Sequence, residues 1–223
     1  MKKNIQIALD GPSGSGKSTI AKKLSSELDI LYLDTGAMYR AVALKALKLG
    51  IDTLDEKKVS EFIGDIDLKI KYENGAQVTM LDGENVSEKI REPQVSMAAS
   101  NISSLKCVRL KMVELQREIA AKTSCVLDGR DIGSFVLPNA DFKFYITASV
   151  DVRAQRRYKE LVAKGHCVDF EELRKEIEQR DYNDSHRDFA PLIRSKDAIF
   201  IDTSDMSIDD VVNTIMSDIK EYK

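Results

Sequence analysis

Residues 11–18 read GPSGSGKS, and this glycine-rich stretch fits the pattern GxxxxGK[ST]. The residues directly before it, 5–9, form a short apolar run, and Ile20, Leu24 and Leu28 after it recur at the spacing of one helix face. The stretch is therefore predicted to be the loop between a buried strand and a helix. An ordinary glycine-rich turn is the alternative. The full pattern in this context favours a phosphate-binding loop in an α/β fold.

The residues of this loop suit a nucleotide. Glycines allow tight turns that aim backbone N–H groups inward, and the following helix adds the positive end of its dipole. Lys17 is predicted to reach the β- and γ-phosphates, and the hydroxyl of Ser18 to hold Mg²⁺, bound mostly through substrate phosphates and water. The predicted nucleotide-binding residues are Gly11, Pro12, Ser13, Gly14, Ser15, Gly16, Lys17, Ser18 and Thr19.

Further apolar runs complete the predicted core, at residues 30–33, 125–127, 142–146 and 198–201. Helical stretches separate these runs. Strands that alternate with helices indicate a parallel α/β sheet covered by helices, here with five strands. The run at 30–33 leads into a helix that Thr35 is predicted to cap.

The middle of the chain interrupts this alternation of predicted strands and helices. Thr53 and Glu56 predict a capping box at the start of a short helix. Residues 68–80 then alternate apolar and polar, and Asn74 with Gly75 supplies a hairpin-turn signal. A small antiparallel meander is therefore predicted as an insert in the α/β core.

Composition excludes several function classes. With 34 Lys and Arg against 37 Asp and Glu, the net charge of −3 argues against a broad electrostatic grip on nucleic acid. Nowhere do eighteen apolar residues run together, so no membrane span is expected and the chain is predicted to be soluble. Three cysteines lie far apart, without zinc or disulfide spacing, which predicts reduced thiols in the cytoplasm.

Two arginines follow predicted strands, where ligands lie in open α/β sheets. Arg40 comes in the first turns of the helix after the second strand, and Arg130 follows the third. An arginine fork matches phosphate geometry, so the two could hold a second phosphate near the first. Each could instead be an ordinary surface residue.

A highly charged segment, residues 152–188, adds further arginines at helical spacing. Arg153, Arg156 and Arg157 share one predicted helix face, and a second face carries Arg180, Asp184 and Arg187. Most such runs are solvated surfaces. Phosphoryl transfer, however, needs cations that neutralise the moving group, and a closing segment could supply them.

These segments together resemble the bacterial cytidylate kinases, a family of nucleoside monophosphate kinases. The motifs are GPSGSGKS, LDTGAMYR at 33–40, AAS ending at Ser100, Arg109, DGRD at 128–131 and QRDYNDSHR at 179–187. The resemblance covers essentially the whole chain. The phosphate loop alone is common to a superfamily, whereas DGRD with the arginine-rich segment is more specific.

The resemblance implies a role for each matching residue. Thr35, Arg40, Arg130 and Arg187 are expected around the CMP phosphate, Ser100, Arg109 and Asp131 at the cytosine edge, and Arg180 and Asp184 at the ribose. Arg153 and Arg157 would belong to a lid that approaches the ATP phosphates. Lys17, Arg130, Arg153 and Arg157 are the expected catalytic residues.

The chemistry of the base supports the role of Asp131 independently. Cytosine carries an exocyclic amine where uracil carries a carbonyl, so a carboxylate would accept a hydrogen bond from the first and oppose the second. The alternative is that Asp131 only pairs with Arg130 or another nearby cation.

The expected reaction is transfer of the γ-phosphoryl group of ATP to the 5′-phosphate of CMP or dCMP, with Mg²⁺ and without a protein nucleophile. The rivals are another small-molecule P-loop kinase, acting on UMP, AMP or shikimate, and a non-catalytic nucleotide switch or nucleic-acid-binding module. A cytoplasmic monomer with no nucleic-acid partner is expected.

The predicted domain division has three parts. They are a core of residues 1–36, 103–150 and 190–223, a monophosphate-binding domain of residues 37–102 with the insert at about 64–94, and a lid with flanking helices at 151–189.

Overall fold

The computed structural model describes residues 4–73 and 75–221. The chain divides into two compact units. The first combines the residues up to Tyr32 with those from Thr123 onward, and the second is Leu33–Lys122. The prediction that assigned a core, a monophosphate-binding domain and a lid is a functional division, and it stays a prediction.

A parallel sheet of five strands runs in the order β2-β6-β1-β7-β8. Its strands are β1 (Gln6–Asp10), β2 (Leu31–Asp34), β6 (Cys125–Gly129), β7 (Phe142–Thr147) and β8 (Ile199–Asp202). A separate antiparallel sheet has the strands β3 (Leu68–Glu73), β4 (Ala76–Leu81) and β5 (Glu84–Asn85). Both predicted sheets are confirmed. Asn74, half of the predicted turn, lies outside the described residues, while Gly75 takes a positive φ of 75°.

The helices are α1 (Lys17–Leu28), α2 (Thr35–Lys48), α3 (Glu56–Ile63), α4 (Pro93–Ile102), α5 (Lys106–Ala120), α6 (Val150–Ala163), α7 (Phe170–His186) and α8 (Ile208–Glu221). A wide helical turn, Ile132–Val136, follows β6. In the described part of the chain no helix is long and apolar enough to cross a bilayer.

The core of the first unit explains why β1 and its neighbours are central. β1 pairs in parallel with β6 along one edge and with β7 along the other, and its consecutive residues Ile7, Ala8 and Leu9 are fully buried, so both of its faces are covered. The core residues from the sheet and from α1 and α8 include Ile7, Leu9, Ile20, Leu24, Phe144, Ile146, Val211 and Ile215. This buried sheet fixes the carboxyl end of β1, where the glycine-rich loop begins.

The charged segment folds as a helix pair in the same unit. α6 and α7 pack through a small apolar cluster that includes Ala154, Leu161, Leu173 and Ile177. The break between the two helices falls at Gly165, whose φ is 82°. The predicted interruption near this glycine is therefore confirmed.

Three local predictions were wrong. Asp34, and not Thr35, caps α2, because the Asp34 carboxylate accepts a hydrogen bond from the Ala37 N–H at 2.8 Å. Asp55, and not Thr53, caps α3 by accepting from the Lys58 N–H at 3.1 Å. Arg187 does not share a helix face with Arg180, since α7 ends at His186 and Arg187 is extended, with φ −68° and ψ 145°.

Candidate active site

The loop between β1 and α1 has the backbone that its glycines predict. Gly11, Gly14 and Gly16 have φ values of 146°, 78° and 89°, all in the range that other residues avoid. A Cβ atom at position 11 would lie 1.9 Å from the main-chain oxygen of Ile146 on β7. The loop therefore starts in close contact with the sheet, and Lys17, Ser18 and Thr19 form the first turn of α1.

Lys17 is buried inside this loop. Its ammonium group donates to the main-chain oxygen of Pro12 at 2.6 Å and to the Ser15 hydroxyl at 3.1 Å. Burial lowers the pKa of Lys17 to about 7, and the nearby charge of Arg130 acts in the same direction. The lysine is therefore held by the loop itself, with a second cation, Arg130, close by.

Ser18 contacts an aspartate that was not predicted as a site residue. The Ser18 hydroxyl donates to Asp128 Oδ2 at 2.7 Å, and the Tyr32 hydroxyl donates to Asp128 Oδ1 at 3.1 Å. Asp128 ends the apolar run of β6, and that position was the available signal. A hydroxyl beside a carboxylate matches the oxygen ligands that Mg²⁺ prefers in P-loop proteins. The residues present therefore fit this ion.

A buried cluster of charges follows β6 in the same unit. Arg130 Nε donates to Asp184 Oδ2 at 2.9 Å, and the guanidinium of Arg187 lies 3.8 Å from both Asp184 Oδ1 and Asp131 Oδ1. Burial alone would raise the pKa of Asp184, but Arg130, Arg180 and Arg187 together hold that pKa below its usual value. Arg130, Asp131, Arg180, Asp184 and Arg187 are thus brought together, as an arrangement for an anion requires.

The two predicted lid arginines differ in their surroundings. Arg153 is 3 % exposed, and its guanidinium donates to the main-chain oxygen of Ser13 at 3.1 Å and to Asp181 Oδ2 at 2.6 Å. A residue of α6 thus contacts the phosphate loop directly. Arg157 lies on the same helix but pairs with Glu160 at 2.8 Å near the surface.

In the second unit, a separate arginine with a carboxylate partner lies where β2 leads into α2. Thr35 is buried at the start of α2, and Arg40 Nη2 donates to Asp34 Oδ2 at 2.8 Å. The Arg40 guanidinium passes so close to Gly36 that a Cβ there would lie 3.1 Å from Nη1. The buried Nε of Arg40 has no hydrogen-bond partner among the described residues. Asp34 thus positions this arginine, a role that was not predicted.

The other predicted residues of this unit lie on α4 and α5. Ser100 is half-buried on α4, and its main-chain oxygen accepts from the Ser103 hydroxyl at 2.9 Å. Arg109 on α5 is 1 % exposed, lies 5.4 Å from the centroid of the Tyr39 ring, and donates to the main-chain oxygen of Ser103 at 3.1 Å. A fully buried arginine is rare unless it has partners, and here the Ser103 main-chain oxygen and the Tyr39 ring are among them.

A phosphate loop that opens a parallel α/β sheet, beside a buried group of arginines, defines the class of P-loop kinases. A solved shikimate kinase from Bacteroides thetaiotaomicron has the same fold, with a TM-score of 0.50 and 12 % identity over 97 % of this chain and 98 % of its own.

The sequence comparisons are more specific. The family model described as cytidylate kinase matches residues 7–221. Cytidylate kinase from Caldicellulosiruptor bescii is 50 % identical over 96 % of this chain and 95 % of its own length. The enzyme of that name from Pediococcus pentosaceus is 50 % identical, over 97 % and 96 %. The chain belongs to the cytidylate kinase family. The predicted fold class, the family and the activity of a CMP kinase are thereby confirmed, whereas the role of each residue stays a prediction.

Proposed function

We propose that this chain transfers the γ-phosphoryl group of ATP to the 5′-phosphate of CMP or dCMP in a single in-line step. The observation that carries the residue assignment is that Arg130 and Lys17 belong to one unit and lie close enough for the arginine to lower the lysine pKa. A cation for the acceptor phosphate next to the cradle for ATP is what transfer between two anions requires.

The loop residues bind the donor. Backbone N–H groups of residues 11–16, with Lys17 and the first turn of α1, hold the ATP phosphates, and Arg153 reaches the γ-phosphoryl group from α6. The pKa of Lys17 rises again when phosphate oxygens replace the Pro12 carbonyl, because an anion favours the charged ammonium group. Arg157 joins these cations when the helix pair moves.

Ser18 and Asp128 would hold Mg²⁺. When bound there, the ion would supply positive charge that offsets the negative charge developing during transfer. The 2.7 Å hydrogen bond between Ser18 and Asp128 supports this assignment, since it keeps the serine hydroxyl and the aspartate carboxylate next to each other beside the loop.

For the acceptor, the phosphate is bound mainly by arginines and the base is recognised by polar groups. Thr35, Arg40, Arg130 and Arg187 hold the CMP phosphate, and Arg180 with Asp184 bind the ribose. Asp131, Ser100 and Arg109 contact the cytosine edge. Asp131 forms an ion pair with Arg187 at 3.8 Å, so the proposed base-reading carboxylate lies beside one of the proposed phosphate-binding arginines.

Initial rates with CMP, dCMP, UMP, AMP and shikimate test the proposal. CMP and dCMP are expected to be the best acceptors, and equal or better turnover of AMP or shikimate would overturn the choice of substrate. The shikimate kinase fold makes shikimate the informative rival. In Asp131→Ala the preference for CMP over UMP should fall by about 5-fold or more, from the loss of about 1 kcal/mol or more at a buried polar contact. An unchanged ratio would mean that another residue reads the base.

A monomeric state and a cytoplasmic location stay predictions from the sequence. Gel filtration at assay concentration tests the first of them.

A further inference from the structure

Asp10, the last residue of β1, has a buried carboxyl group that none of the steps above uses. Its Oδ1 accepts a hydrogen bond from the Ile132 N–H at 2.6 Å, and its Oδ2 accepts one from the Gly133 N–H at 2.7 Å. These are the first two N–H groups of the wide turn Ile132–Val136, which would otherwise need another acceptor. The Asp131 side chain precedes this turn but does not cap it. Asp10 therefore caps the turn from a different strand.

The far end of the same segment is also fastened to the sheet. Lys143 on β7 donates to the main-chain oxygen of Pro138 at 2.6 Å and to Asp197 Oδ2 at 2.7 Å. Space at the near end is tight, since a Cβ at Gly133 would lie 3.1 Å from Lys143 Cδ and 3.3 Å from Asp10 Oδ2. β1 and β7 are paired strands, so the contacts of Asp10 and of Lys143 both tie the segment after β6 to the same part of the sheet.

We propose that Asp10 is a positioning residue for base selection. By capping the turn that directly follows Asp131, Asp10 holds the Asp131 side chain where it can contact the cytosine edge. This inference rests on the proposed role of Asp131. The two hydrogen bonds from Asp10 fix the backbone directly after Asp131, and with it the direction in which the Asp131 side chain leaves the main chain. Asp10 also directly precedes Gly11, but its side chain bonds to the turn and not to the phosphate loop, so a change of this side chain should act on the turn.

A merely structural role makes a different prediction. If Asp10 only stabilised the fold, its loss would lower the rates with CMP and with UMP by the same factor. A positioning role acts through Asp131 and changes the ratio of the two rates. The effects of Asp10→Asn and Asp131→Ala should then be non-additive, because Asp131→Ala removes the same carboxylate that Asp10→Asn has already displaced.

The experiment compares kcat/KM for CMP and for UMP in the wild type, Asp10→Asn, Asp131→Ala and the double variant. Asp141→Asn is the matched control, because Asp141 accepts a bond from the Gln6 N–H at 3.0 Å at the opposite end of β1. All assays are run below the unfolding temperature of each variant. The Kd of ATP alone is measured alongside.

In Asp10→Asn we expect kcat/KM for CMP to fall about tenfold or more, as a small displacement of a positioned group does. The ratio of CMP to UMP should approach that of Asp131→Ala, the double variant should lower it no further, and the Kd of ATP should stay within about twofold. Asp141→Asn should keep the wild-type ratio. If Asp10→Asn does not fold, Gly133→Ala presses on the same contact and should change the ratio in the same direction.

Equal losses with CMP and UMP, or additive effects in the double variant, would overturn the inference. The proposed role of Asp131 fails separately, if Asp131→Ala keeps the wild-type preference, and the inference then fails with it. A preference that depends on Asp131 and survives in both Asp10→Asn and Gly133→Ala would overturn the role of Asp10 alone.

Discussion

Replacing Gly11 by alanine tests the start of the phosphate loop most sharply. The φ of 146° is strained for any residue with a side chain, and the new Cβ would lie 1.9 Å from the Ile146 oxygen and 2.9 Å from its carbonyl carbon. Both atoms are main chain, so no side-chain rotation relieves the contact and the loop or β7 must move. Backbone strain costs about 1–3 kcal/mol and overpacking about another 1–3 kcal/mol, which gives a loss of about 2–6 kcal/mol in the free energy of unfolding.

Gly50→Ala is the matched control. Gly50 also has a positive φ, 67°, but a Cβ there would meet no described atom within 4 Å. Only the backbone cost of about 1–2 kcal/mol then applies. Urea unfolding of the two variants and of the wild type measures the difference, and the Kd of ATP reports the loop. If Gly11→Ala were no less stable than Gly50→Ala and bound ATP normally, the close approach of the loop to β7 would be refuted.

Three more substitutions test single parts of the site. Lys17→Ala should abolish turnover with every acceptor, and near-normal initial rates would contradict its role at the phosphates. Asp128→Asn should raise the Mg²⁺ concentration for half-maximal rate by about 10- to 100-fold, and an unchanged Mg²⁺ titration would remove Asp128 from the metal site. Burial, the largest cause, and the charge of Asp131 raise the pKa of Asp10 to about 7, against about 3.9 in an unfolded chain. The wild type should therefore lose stability relative to Asp10→Asn as the pH rises from about 4 to 7, by at most about 1.4 kcal/mol per pH unit, and unfolding curves with no such trend would contradict the raised pKa.

The parts of the fold that depend on local sequence could be predicted. The phosphate loop is set by its own glycines, and each parallel strand shows as an apolar run because it is covered on both faces. The antiparallel meander follows from the alternation along residues 68–80. In these places the residues that cause the structure are close together in the chain.

The exact helix starts could not be predicted from the same signals. Both β2 and the segment before α3 offer an aspartate near a threonine, and either side chain can cap a helix. In both cases the aspartate directly before the helix is the cap, Asp34 for α2 and Asp55 for α3. Tertiary packing, and not the cap residues alone, decides where each helix begins.

The carboxylates of the site were missed for a different reason. Asp10 and Asp128 each end an apolar run, but Ile132, the partner of Asp10, and Ser18, the partner of Asp128, lie more than a hundred residues from them in the chain. Only the strand order β6-β1-β7 brings these partners together, and apolar patterning does not fix that order. Arg153 shows the same limit, because its helical spacing predicted a lid arginine but not that its side chain is buried against the main chain of the phosphate loop.

The stereochemical course at phosphorus tests the central claim most directly. ATP that is isotopically chiral at the γ-phosphorus is turned over with CMP, and the configuration of the new β-phosphoryl group in CDP is determined. Direct transfer between two positioned substrates predicts CDP with inverted configuration, because one displacement inverts the centre. Retained configuration, with phosphate recovered on the protein, would contradict a mechanism that depends on positioned cations and no protein nucleophile.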